Sequence, residues 1–208
     1  MPAPQSPRRR RASRSPRPYR YLVPLLSALA LLVVPVVAWA ANGFTEQIAS
    51  ARWSTPFQCP DGQTAQDGRM IVETDNFIDA GTTPDPNPPL RVGFIGQCPT
   101  ADPTITTTFQ WGFVRPAPTQ FDPTLKSVSL SGTFTGVRDN VGGVHTVSVD
   151  ATWTGTGGVQ TTVNGPGSKS QKRAATATAT ILFDGSTLVN GESNFPFPAP
   201  FIRVDTEK

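Results

Sequence analysis

Cysteine and histidine are scarce in this 208-residue chain: it has two Cys and one His. Two Cys and one His leave a zinc site short, since such a site draws three or four ligands from Cys, His or acidic side chains. Nucleophilic catalysis is confined as well, because a Cys or Ser nucleophile needs a base and His145 is the only histidine on offer. No G-x-S-x-G elbow is present to carry a nucleophile. Gly-rich stretches such as "TGTGG" (154–158) lack the strand-then-helix setting of a phosphate cradle, and "DGQTAQDG" (61–68) lacks the acidic spacing of a calcium loop. No metal and no cofactor are expected. Long apolar runs of 3.6-residue period are also missing, which excludes a helical bundle. Only "FTEQIASARW" (44–53) has a helix-like spacing, with Phe44, Ile48 and Ala51 or Arg52 along one side, and a short helix is expected there.

One apolar run does exist, at the N-terminus. A basic stretch, "RRRRASRSPRPYR" (8–20), precedes "YLVPLLSALALLVVPVVAWA" (21–40), and the small residues Ala38 and Ala40 close it. This is the three-part pattern of a secretory signal peptide, with cleavage expected between Ala40 and Ala41. Pro35 breaks the helix just before the cut, and together with Pro24 it weakens the alternative of a retained membrane anchor. Arg10-Arg11 lies too far from the apolar run for a twin-arginine signal, so the general secretory route is expected, with contact to the membrane only before cleavage. The division is then 1–40 signal peptide and 41–208 mature domain, in a secreted, extracellular protein.

Processing changes the charge. The whole chain carries +3, from 18 Lys+Arg against 15 Asp+Glu. Seven of the arginines precede residue 41 and all the acids follow it, so 11 basic residues face 15 acidic ones and the mature net charge is −4. A basic footprint for nucleic acid does not survive, and no nucleic-acid partner is expected. Export also decides between the readings of the two cysteines, each followed by proline in "QCP". Outside the cytoplasm paired thiols oxidise, so a Cys59–Cys98 disulfide is expected, worth ~4 kcal/mol in the chain-entropy account.

From residue 41 onward the sequence alternates. In "KSVSLSGTF" Val128, Leu130 and Phe134 share one face, opposite Ser127, Ser129, Ser131 and Thr133. "VRDNVGGV" (137–144) supplies turn residues, and "VHTVSVDATWTG" (144–155) puts His145, Val147, Val149, Ala151 and Trp153 on one side. "RAATATATILFDG" (173–185) repeats the pattern. With runs at 69–78, 90–98, 104–115, 159–165 and 200–204, about eight or nine strands are expected. One-sided alternation fits a single antiparallel domain, a sandwich or, given the adjacent hairpins, an up-and-down barrel-like arrangement.

The candidate site residues are few. His145 lies on the apolar face of its strand, where a histidine is usually a core or rim residue rather than a base. Glu73 and Asp75 alternate onto one face, close enough for one to raise the pKa of the other, although a solvated outer face is their ordinary fate. Phe109, Trp111 and Phe113 form a same-face aromatic row that would floor a ligand groove or fill a core.

At "ATWTGTGG" (151–158) and "RAATATATILFDG" the C-terminal half resembles exported β-rich bacterial proteins of no assigned activity. That resemblance implies the same fold and compartment and transfers no catalytic residue. The function expected is a non-enzymatic, monomeric exported domain. It would bind a small apolar molecule or a glycan through Phe109, Trp111 and Phe113, or act at the cell surface. The alternative is a small-barrel enzyme, a cyclase, isomerase or hydrolase, using His145, Glu73 or Asp75.

Overall fold

The computed structural model describes residues 43–102 and 105–208. The signal peptide read over 1–40, with Ala38 and Ala40, and the first mature residue Ala41 lie outside the described residues.

Among the described residues period-two alternation becomes ten strands, more than the eight or nine expected because 44–58, 119–121 and 186–192 add strands, and no helix forms. They are β1 (Phe44–Gln58), β2 (Thr64–Asp79), β3 (Pro89–Pro99), β4 (Thr106–Pro116), β5 (Thr119–Phe121), β6 (Ser127–Arg138), β7 (Val144–Gly165), β8 (Ser168–Phe183), β9 (Ser186–Glu192) and β10 (Phe201–Glu207). All belong to one antiparallel sheet of order β4-β3-β2-β1-β10-β8-β7-β6-β5, with β9 beside β8. Two up-and-down meanders, β1–β4 and β5–β8, are joined by the last strand. β10 pairs the start of β1 on one side and the start of β8 on the other. β9 takes over along the end of β8, from Thr178 to Phe183.

Each strand turns alternate residues inward, and those residues make the core: Ala49, Ala51, Trp53 and Phe57 on β1, Met70 and Val72 on β2, Val147, Val149, Ala151 and Trp153 on β7. The sheet curls until its buried face meets itself, so that Trp111 of β4 lies 5.2 Å from Phe183 of β8, centroid to centroid. Trp53 and Trp153, both fully buried, fill the middle. The Trp53 indole N–H donates to the carbonyl of Gly191 just beyond the free stretch of β1.

Two expectations need correction. First, the arrangement is neither two packed sheets nor a closed barrel. Pro116 and Pro118, which cannot donate to a ladder, mark where the chain leaves β3 and pairs β6 instead as β5. Between β4 and β6 there is only an isolated bridge, Trp111 with Asp139, helped by side chains. Asn140 acts there as a stand-in strand. Its backbone N–H donates to Gln110 O (3.0 Å), its Oδ1 accepts from Gln110 N (2.9 Å) and its Nδ2 donates to Thr108 O (2.9 Å). Arg115 Nη1 donates to Thr135 O (2.6 Å) further along. Second, 44–53 is strand, not helix. Flanked by β2 and β10, it satisfies its backbone in two ladders and sends Ala49, Ala51 and Trp53 to the core with period two. The Phe44, Ile48, Ala51 spacing is a coincidence that tertiary pairing overrides.

Cys59 and Cys98 form the expected disulfide, with Cα atoms 5.9 Å apart across a separation of 39 residues. It ties the turn after β1 to the end of β3.

Candidate functional site

The His145 end of the sheet gathers the chemistry. Three connections meet there: β1–β2, carrying Cys59; β6–β7, carrying Asp139; and β8–β9, carrying Asp184. Asp184-Gly185 is a two-residue hairpin with positive φ at both positions, 49° and 80°, the conformation that primed turns require and that Asp-Gly adopts readily. Asp139 folds its own loop, accepting on Oδ1 from the N–H of Val141 (3.0 Å) and of Gly143 (2.6 Å). Gly143 must be glycine, since a Cβ there would stand 2.6 Å from both Asp139 Oδ2 and His145 Nε2.

The imidazole of His145 is held from both sides. Nδ1 lies 2.7 Å from Asp184 Oδ2 and Nε2 lies 2.9 Å from Asp139 Oδ2. Its ring packs on Phe183 at 4.3 Å between centroids. Burial alone would lower the histidine pKa, but the hydrogen bonds to Asp139 and Asp184 overcome it and hold the pKa above its ordinary value. Burial likewise opposes ionisation of Asp139, and the bonds from His145, Gly143 and Val141 prevail, so its pKa is lowered. For Asp184 the same burial is outweighed by the Thr146 N–H, at 2.8 Å, and by His145. The three groups therefore favour an imidazolium between two carboxylates, with net charge −1. Asp139 is sealed in, its side chain 3% exposed, whereas that of Asp184 is 50% exposed.

Beside this cluster an open cavity of about 700 Å³ enters the end of the sheet. Five rings reach it: Phe57, Phe94, Phe109, Trp111 and Phe183. They form one continuous cluster, with Phe94 4.8 Å from Phe57 and 5.7 Å from Trp111. Cys59, Asp184, Thr187 and Leu188 stand around the opening.

Of the residues singled out in the sequence, Phe109 and Trp111 border this cavity together with His145. Phe113 does not. It packs on Phe134 at 4.7 Å across the β4–β6 seam, with the Arg115 guanidinium 5.7 Å from its ring. Phe109 and Trp111 are themselves only 6% and 5% exposed, so they are a floor rather than a stacking platform. Glu73 and Asp75 share a face as expected, but it is the outer face at the opposite end. There Glu73 meets Arg91 at 3.9 Å and Asp75 is driven up in pKa by burial and then by Glu73. Asp139 and Asp184 escape sequence reasoning. The Asp-Gly dipeptide at 184–185, which looks like the end of a strand rather than a hairpin, is the signal that could have supplied both β9 and the second partner of His145.

Among the described residues no group of three or more Cys, His or acidic side chains is arranged to hold a metal ion. No family model matches the chain, and neither do the curated proteins or the solved structures.

Proposed function

We propose that this is an exported, non-enzymatic β domain that binds a small, mainly apolar molecule in the aromatic cavity beside His145. The observation that carries the reading is the convergence of five rings from β1, β3, β4 and β8 on one open space of ligand size. An apolar body rests on ring edges there, and a hydroxyl or other donor at its outer end meets the exposed oxygen of Asp184. An apolar ligand is favoured over a glycan because sugars stack on exposed aromatic faces, and four of these rings are buried, with Phe183 partly so. Binding is favoured over catalysis because both imidazole nitrogens of His145 are occupied by carboxylates, which leaves no lone pair to take a proton from a substrate. The Cys59–Cys98 bridge suits an oxidising compartment. Exported material is expected to begin at Ala41, which N-terminal sequencing reads directly.

The test is a thermal-shift screen against fatty acids, sterols, aromatic alcohols and oligosaccharides. A ligand at 100 times its dissociation constant stabilises the fold by ~2.7 kcal/mol, roughly 5–10 °C for a domain of this size. Apolar compounds should shift the melting temperature, and Thr187→Trp, an exposed change at the opening, should abolish the shift while leaving the unliganded melting temperature unchanged. No shift with any apolar class, or an undiminished one in Thr187→Trp, overturns the assignment.

A further inference from the structure

The other side of the same wall carries a second depression. Across the outer face of β1–β4, Arg52, Ile71, Gly93 and Gly112 pair in one row, and Arg69, Ile95 and Gln110 stand in the next. Because Gly93 and Gly112 have no side chains, the floor between these rows is bare backbone, and a groove of about 640 Å³ opens above it. One bank is Phe195, in a segment fixed to β1 by Ser193, which donates to Arg52 O, and by Asn194, which bonds both backbone groups of Ser54. The other bank is the stretch Arg138–Asn140 at the seam. From β1 to β4 is three strand spacings, about 14 Å.

Its charge runs against that of the domain. Arg52, Arg69 and Arg138 all border the groove, and none has a salt bridge among the described residues. The Nε of Arg52 is shielded from solvent without a hydrogen-bond partner, and the Arg69 guanidinium rests 5.7 Å from the centroid of Phe195. Asp139 is the one acid bordering the groove, and its carboxylate is turned inward to His145. Three unneutralised guanidinium groups thus face one space on a domain whose charge is otherwise net negative. Between them the surface is apolar: Ile71, Phe195 and Ile95, which is 43% exposed.

We propose that this groove is a second binding site, for an aromatic carboxylate. A flat ring system lies against the backbone of Gly93 and Gly112 with Ile71 and Ile95 at its margins, and its carboxylate takes the fork of Arg138, on the exposed bank, in the bidentate geometry that guanidinium groups favour. Charge complementarity fixes the acid end and the glycine floor fixes the flat body.

Calorimetric titration with naphthalene-2-carboxylate, its neutral amide and inorganic phosphate tests the assignment. The carboxylate should bind, the amide about tenfold or more weakly, as the loss of a charged hydrogen-bond partner requires, and phosphate should not compete. Arg138→Gln should weaken the carboxylate about tenfold, and Arg52→Gln, on the opposite bank, should weaken it less. Gly112→Leu, which fills the floor, should abolish binding. Thr187→Trp, on the far side of the wall, should leave it unchanged, which separates this site from the aromatic cavity. A new Cβ at Gly112 would lie 3.2 Å from Val92 O. If that variant loses its fold, Arg138→Gln, at an exposed position, carries the same test. Equal affinity for the amide, unweakened binding in Arg138→Gln, loss of binding in Thr187→Trp, or displacement by phosphate each overturns the proposal.

Discussion

Two ion clusters, one at each end of the sheet, are made of the same ingredients and behave in opposite ways. At one end His145 stands between Asp139 and Asp184; at the other Arg203 faces Asp205 at 2.9 Å and Glu46 at 3.9 Å, with Asp75 beside them. Both contain one cation and several carboxylates. Yet Asp139 and Asp184 are lowered in pKa, whereas Glu46 and Asp75 are raised. Burial pushes all four the same way. The difference is in the donors. Asp139 receives His145 and two backbone N–H groups, and Asp184 receives His145 and one. Asp75 sits in mid-strand, where the ladders consume the backbone N–H groups, and its Oδ1 is buried without a partner. Glu46 is raised further by the charge of Asp75, and Asp75 by that of Glu73, and Arg203 offsets this only in part. A carboxylate carried on a turn can collect free N–H groups, including that of Thr146 in β7. One in mid-strand between two ladders cannot.

The largest way to break the contrast is to remove the staple at the His145 end. Cys59→Ser with Cys98→Ser should cost ~4 kcal/mol in urea unfolding. The amide protons of Val141 and Gly143 should lose protection from exchange before those of β10, because the disulfide adjoins the first cluster and not the second.

Next comes His145→Ala. It leaves the sealed Asp139 without its main partner, and a loss of about 2–3 kcal/mol is expected at pH 6. Arg203→Ala, measured in the same way, should cost under ~1 kcal/mol, as partly exposed ion pairs do. Equal losses would erase the distinction between the clusters.

The pH dependence follows from the directions of the shifts. His145 is raised, so its contribution is complete below its unfolded pKa of about 6.5 and is lost as pH rises through the higher folded value. Asp139 and Asp184 are lowered, so their contribution is complete above about pH 4 and is lost as pH falls through their folded values. Stability should therefore be greatest at about pH 5–6 and fall on the alkaline side, and His145→Gln should remove that alkaline fall.

The smallest effect has the opposite sign. Asp75 and Glu46 are raised, so their ionisation opposes folding, and stability is lost as pH rises through their folded values. Asp75→Asn should stabilise the protein at pH 7 by ~0.5 kcal/mol, discounted for partial exposure, with no gain at pH 3. A destabilised Asp75→Asn at pH 7 would show that the carboxylate is properly partnered after all.

The all-β class, the disulfide and the inward faces of β6, β7 and β8 are legible in the sequence, because an alternation such as Ala175, Ala177, Ala179, Ile181 has no other comfortable conformation. β1 is not, because "FTEQIASARW" satisfies both periods, and only its neighbours β2 and β10 decide between them. β5 is too short to show a pattern, and β9 is hidden by a hairpin that resembles a strand end. At the candidate site His145 and its face are visible, but its partners come from loops 6 residues before it and 39 after it. No periodicity encodes such a meeting. The aromatic row is visible as a row, but Phe113 drops away from the cavity because its own position falls on the seam.

That seam makes the wall a cuff with a clasp rather than a ring. Over most of the circumference continuous ladders hold neighbouring strands, and their rupture requires many backbone bonds to break together. The stretch of β1 beyond Ser50 is instead joined to the β9 side through the Trp53, Thr55, Ser193 and Asn194 side chains. Between β4 and β6 the wall is held by one bridge, the Asn140 side chain and the Arg115 fork. Parting at this line would break only a few contacts. Asp139 and Trp111 belong both to the clasp and to the cavity lining, so a ligand of the kind proposed would lie against the clasp. The amides of Gln110 and Asn140 should accordingly exchange faster than those of Gly93 and Phe94 one strand away, and a bound apolar ligand should change that ratio.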